Sequence, residues 1–326
     1  MATYKGIQGY SVQKLSSDPT ASEVEGQLFY NSSTGKFKIS VAGTGAWSSG
    51  GTMNNGRNHL KGGGIQTAAI MAGGNSPSVN AYTETYDGTT WTEKADLNTG
   101  RGQTGPATQG TTTAFLLAGG SIGTAPTNAS NETETFNGTA WTEVNNLNTA
   151  RRALTGGGTT TAAIAVGGQT APNNAFGNTE TYNGTSWSET ADLNNDRNGA
   201  SGCGTSTAAL TFVGRIPPSF SSTNKTESWN GSSWTEVANT NTARNQAAGI
   251  GIQTAALLVG GSPSPAYTEK WDGTSWTEVA DLGSGQYGLG GSGTSSLGLV
   301  GAGEPAITSS EEWNDPVYTI KTVTVS

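Results

Sequence analysis

Short apolar runs recur along the chain, and glycine closes most of them. Ala68-Ala69-Ile70-Met71-Ala72 stops at Gly73-Gly74, and similar runs stop at Gly119-Gly120, Gly167-Gly168 and Gly260-Gly261. These runs are apolar without alternation, as expected of a strand covered on both faces. A polar and aromatic segment follows each one. Thr83-Glu84-Thr85-Tyr86-Asp87-Gly88-Thr89-Thr90-Trp91 returns at 133–141, 179–187, 226–234 and 268–276, with a worn copy at 310–318. The tryptophans are spaced by 50, 46, 47 and 42 residues, and 42 more lead to Tyr318. Such a period marks one supersecondary unit repeated along the chain.

Each unit predicts four strands. Strand a follows an arginine placed ten residues after the preceding tryptophan: Arg101, Arg151, Arg197 and Arg244, with Gln286 in the last copy and the pair Trp47/Arg57 at the start. Strand b is the apolar run, strand c holds Thr-Glu-Thr-Tyr, and strand d holds Thr-Trp-Thr-Glu. Between c and d stand Asp87-Gly88, Asp272-Gly273 or Asn-Gly at Asn137, Asn183 and Asn230, which predict tight type I′ hairpins.

Four antiparallel strands at this period predict the blades of an all-β propeller. The order arginine, apolar run with Gly-Gly, tyrosine, then tryptophan resembles the kelch repeat over residues 44–318. The fourth copy departs with Val213-Gly214-Arg215 and the sixth with Gly301-Ala302-Gly303. The resemblance implies a kelch-type β-propeller, with six complete repeats from 57 to 318. Three segments before them (27–30, 36–40 and Ala46-Trp47) and the alternating stretch 319–325 read as a composite seventh blade that closes the ring. Six blades with an N-terminal appendage is the alternative.

Composition narrows the class. Glycine supplies 49 of 326 residues, about twice the usual ~7%, but without the three-residue period of collagen. Nine Trp, nine Tyr and seven Phe argue against a disordered chain. Sixteen basic against 24 acidic residues give a net charge of −8, which disfavours a nucleic-acid partner. The longest apolar stretches, such as 114–118, are too short to insert in a membrane, and no secretory signal opens the chain. Cys203 is the sole cysteine and His59 the sole histidine, so an intrachain disulfide or a four-cysteine zinc site is excluded. Copper oxidases of the kelch class use histidine ligands that one histidine cannot supply. No metal or cofactor is expected.

The recurring Glu84, Glu134, Glu180, Glu227, Glu269 and Glu311 invite comparison with the carboxylate pairs of glycoside hydrolases. A residue present in every blade is better explained by structure, here by pairing with the recurring arginines. Five of the seven arginines hold repeat positions, leaving few for an anionic ligand. Asp-Gly-Thr-Thr-Trp is only distantly similar to the sialidase Asp-box, because Asp and Gly are adjacent. No catalytic residue is assigned. Recognition is expected at the b–c loops, which vary between copies and carry Tyr82, Phe176, Arg215, Phe220 and Tyr267.

The segment Gly26-Gln27-Leu28-Phe29-Tyr30-Asn31, followed by Thr34-Gly35-Lys36-Phe37, resembles a hairpin of tailed-phage fibre and other virion proteins. The resemblance implies a virion structural protein present in several copies. Residues 1–25 would form an arm docking onto other virion proteins, and 26–326 the propeller. The loop face would meet host surface polysaccharide or another virion protein. A polysaccharide-degrading hydrolase or lyase on the same scaffold is the alternative.

Overall fold

The repeat segments fold as expected, into four-stranded antiparallel sheets, except that the last strand of the sixth comes from elsewhere in the chain. The computed structural model describes residues 12–20, 26–43, 45–105, 108–123, 128–172, 174–263, 266–316 and 318–324, which contain strands and turns but no helix. The chain divides into two compact units, 47–314 and a second made of 1–46 with 315–326.

The larger unit is a β-propeller. Its third blade shows the plan: Thr155–Gly158, Ala163–Val166, Thr179–Tyr182 and Trp187–Thr190 pair in order. In the c–d hairpins the closing aromatics pair across the strands, Tyr86 with Trp91, Tyr182 with Trp187 and Trp229 with Trp234, at ring separations of 4.9, 5.0 and 5.3 Å. The turns are not the two-residue type I′ form that the sequence suggests. Asp87 N–H closes a four-residue loop onto the Thr90 carbonyl, and Asp87 Oδ1 accepts from the Thr89 and Thr90 N–H groups at 2.9 and 2.8 Å. Only Gly88 takes a positive φ there, 92°, because the side chain satisfies donors that a type I′ turn would leave to the backbone.

Six sheets, and not seven, make the ring. The sixth consists of Gly290–Gly293, Leu297–Gly301, Ser310–Asn314 and, from the far end of the chain, Ala46–Ser49. Trp47 therefore occupies the repeat tryptophan position of the sixth blade, which the sequence reading gave to Tyr318. Its ring lies 5.6 Å from that of Trp313, and its Nε1 donates to Thr268 Oγ1 of the fifth blade at 3.1 Å. Trp141, Trp187 and Trp234 make the same bond to Thr83, Thr133 and Thr179 of the preceding blade, at 3.0, 3.2 and 3.1 Å. Trp91 reaches Ser310 of the sixth blade at 3.4 Å, whereas the Trp276 Nε1 of the fifth blade and Thr226 Oγ1 of the fourth have no hydrogen-bond partner among the described residues.

A closed circuit runs at the axis. The residue two past each repeat arginine, or past Gln286, donates its backbone N–H to its counterpart in the preceding blade. His59 donates to Gly288, Gly288 to Gln246, Gln246 to Gly199, Gly199 to Ala153, Ala153 to Gln103, and Gln103 back to His59, at 2.6–2.9 Å. All six have φ between 53° and 67°, four of them without being glycine. Left-handed backbone at such residues costs on the order of 1–3 kcal/mol each and persists only when its surroundings enforce it. Here the closed hydrogen-bond ring does so.

The composite sheet expected to close the propeller exists, but in the smaller unit. Lys36–Ala42 pairs antiparallel with Leu28–Asn31 on one side and with Tyr318–Thr322 on the other. Gln13–Leu15 adds a parallel strand to Leu28–Asn31. Within the expected arm, Gln13–Leu15 is thus a strand of a folded sheet. Ser32 N–H donates to Leu15 O at 2.8 Å, and Asp18 accepts from Asn31 Nδ2 and Lys38 Nζ. Residues 1–11 and 21–25 of the expected arm lie outside the described residues.

Candidate functional site

The recurring charges are structural. Arg101 and Glu134, Arg151 and Glu180, and Arg244 and Glu269 form ion pairs at 2.8, 3.0 and 2.7 Å, and Arg57 pairs with Glu84 and Arg197 with Glu227. All five arginines are fully buried. Each glutamate has further work: Glu180 Oε2 accepts the N–H and Nδ2 of Asn148 at 2.8 and 2.9 Å, pinning the connection from the preceding blade. In the sixth blade, where Gln286 replaces the arginine, Glu311 accepts the Gly283 N–H at 2.8 Å. These carboxylates are committed to arginine and backbone donors.

The two arginines outside the repeat meet at the axis. Arg152 follows the repeat Arg151, and Arg215 follows the worn Val213-Gly214. Paired backbone bonds hold Arg152 against Gln169 (2.9 and 2.9 Å) and Asn198 against Arg215 (3.1 and 2.8 Å). These pairs set their side chains around a depression of about 270 Å³ on the side of the b–c loops. Gln103 and Gln246 of the axial ring, with Pro172 and Phe220 from the loops, complete its wall. Phe220 sits at φ 52° in the loop between the short paired strands Arg215–Ile216 and Ser221–Ser222.

Arg152 is the unusual member. Its residue exposure is 7%, yet among the described residues no carboxylate pairs with it. Nη1 donates to Gln103 Oε1 at 2.9 Å, and the Gln169 amide, with its oxygen turned to the guanidinium, lies 2.7 and 2.8 Å away. Its Nε has no partner, as in Arg57, Arg101, Arg151 and Arg244, and burial lowers the guanidinium pKa. Arg215 is exposed on the same depression.

The five loop residues expected to bind are thus divided. Arg215 and Phe220 line the depression. Tyr82 and Tyr267, 41% and 40% exposed, stand beside strand c, where their carbonyls accept the N–H groups of Gly73 and Gly260. Phe176 is half-buried, and its backbone bonds Gly168 and Arg197. These three do not line the depression. Sequence reasoning missed Arg152, Gln169, Asn198, Gln103 and Gln246. The available signal was an arginine with no counterpart in the other copies.

Across the axial ring lies a smaller cavity of about 70 Å³, lined by His59, Lys61, Thr104 and Leu154 among others. Burial pulls the Lys61 ammonium down to about 8 and pushes the nearby Cys203 thiol up to about 12, so Cys203 stays protonated at neutral pH. Burial also holds His59 below its usual range. Among the described residues no group of three or more His, Cys, Asp or Glu side chains could hold a metal ion.

Fold and site together define a β-propeller with a cationic axial depression. No protein-family model matches the chain, and no curated protein does. Among solved structures it is similar to YjhT, with a TM-score of 0.65 and 11% identity over 84% of this chain and 99% of YjhT. At that identity the likeness shows the fold alone.

Proposed function

We propose that the chain is a virion-associated propeller of kelch type that recognises a ligand through its b–c loop face and performs no chemistry on it. The observation that carries the recognition role is the axial depression, where loops of neighbouring blades converge on a buried arginine with no acid partner among the described residues. A concave site with a few convergent polar groups is where small ligands bind. The virion setting is supported by the resemblance of residues 26–38, which here form the hairpin Leu28–Asn31/Lys36–Ala42. Anchoring to other virion proteins then belongs to the smaller folded unit, with host surface polysaccharide as the partner of the loop face.

Locating the protein in purified particles tests the setting. Copies arrayed with the particle's symmetry are expected, and recovery only as unassembled protein in infected cells overturns it. Incubation with host polysaccharide tests the absence of chemistry. New reducing ends or unsaturated products would instead establish a hydrolase or lyase.

A further inference from the structure

The five repeat arginines show how this fold treats a buried guanidinium: each receives a glutamate. Arg152 is more than nine-tenths buried and receives two amides and, among the described residues, no carboxylate. A buried charge held only by neutral groups is unfavourable unless something else compensates it. Arg215, the one other arginine outside the repeat, opens onto the same depression. A chain of net charge −8 has thus gathered at one axial site both of the guanidinium groups that, among the described residues, lack a carboxylate partner.

We propose that this depression binds the carboxylate of an acidic saccharide unit, with Arg152 and Arg215 as the carboxylate clamp and Phe220 as an apolar wall for the sugar ring. This rests on the reading of the loop face as a recognition surface and names its ligand class. Guanidinium groups match carboxylates in geometry and charge, giving short, strong hydrogen bonds. The remaining wall favours a sugar over an acidic peptide. Gln103, Gln169, Asn198 and Gln246 place amides, each both donor and acceptor, around one small volume, which suits a ring bearing several hydroxyls. About 270 Å³ accommodates a single ring, whereas a peptide would need an extended groove or an exposed strand edge.

The test is calorimetric titration of the full chain with sodium glucuronate, glucose, sodium acetate and a short glutamate-rich peptide, repeated with Arg152→Gln and Arg215→Gln. Glucuronate is expected to bind more tightly than glucose and acetate. Arg152→Gln should weaken it at least tenfold and Arg215→Gln severalfold. The melting temperature of ligand-free Arg152→Gln should stay at or above that of the parent, since the substitution removes an uncompensated buried charge. Acetate binding as tightly as glucuronate would overturn the saccharide assignment, and so would preferential binding of the peptide. A melting temperature several degrees lower in Arg152→Gln would show a structural arginine and also overturn the proposal. Failure of glucuronate to bind a protein that does sit on the particle would overturn this proposal alone. Glucuronate binding by a protein absent from the particle would overturn only the virion setting.

Discussion

Arginine side chains sealed from water define the energetics at the residue scale. Arg151 is fully buried, and Glu180 opposite it also receives two bonds from Asn148, so removing the arginine strands a charge that anchors two blades. Breaking a buried pair by deleting one partner costs about 3–5 kcal/mol. Arg151→Met should therefore lower the denaturant stability by about that amount, and Arg151→Met/Glu180→Met should recover part of it in equilibrium unfolding. Lys61 gives a pH signature. Its folded-state pKa of about 8 lies below the ordinary value of 10.5, so between these values the unfolded chain binds more protons than the folded one. Stability from this residue is lowest below pH 8 and rises as pH increases toward 10.5. Thermal melts from pH 7 to 10 should show that rise in the parent and lose it in Lys61→Met, which should also melt higher at pH 7. The arginine–glutamate pairs were legible from their shared period. Arg152 was not, because a residue that breaks a pattern acquires meaning only once its neighbours are known.

At the scale of the element, the glycine-rich inner strands exist because neighbouring blades crowd one another near the axis. A Cβ on Gly157 would lie 2.3 Å from the Gly204 carbonyl oxygen of the next blade, and one on Gly62 would lie 2.6 Å from the Gly291 carbonyl oxygen. Neither position has a positive φ, so close approach, not backbone conformation, requires the missing side chain. Gly157→Ala should destabilise by about 1–3 kcal/mol, the range for overpacking, and chemical denaturation would measure it. The strands and their hairpins were readable from alternation, apolar runs and Asp/Asn-Gly pairs. The turn type was not, because Asp87 and its equivalents satisfy the following N–H groups with their own side chains.

For the whole molecule, closure is decided by which strand completes the sixth blade. Ala46–Ser49 does so, and Trp47 there repeats the indole-to-threonine bond of the second, third and fourth blades. A chain of residues 46–314 is accordingly expected to give a cooperative thermal transition by calorimetry, whereas one of residues 51–314 should lose it, because Ser310–Asn314 would then be left as an unpaired outer edge of the sixth sheet. Period, strand type, hairpin positions and the structural role of the paired charges were all encoded locally, in spacings of a few to about fifty residues that any stretch of the chain displays. Closure and the axial site were encoded nowhere locally. Ala46-Trp47 and Tyr318 are equally strand-like, and only the position of Thr268 and Trp313 beside the open sixth sheet selects Trp47. Arg152 and Arg215, 63 residues apart in sequence, face one depression because the hydrogen-bond ring through His59, Gln103, Ala153, Gly199, Gln246 and Gly288 draws every blade to a common axis.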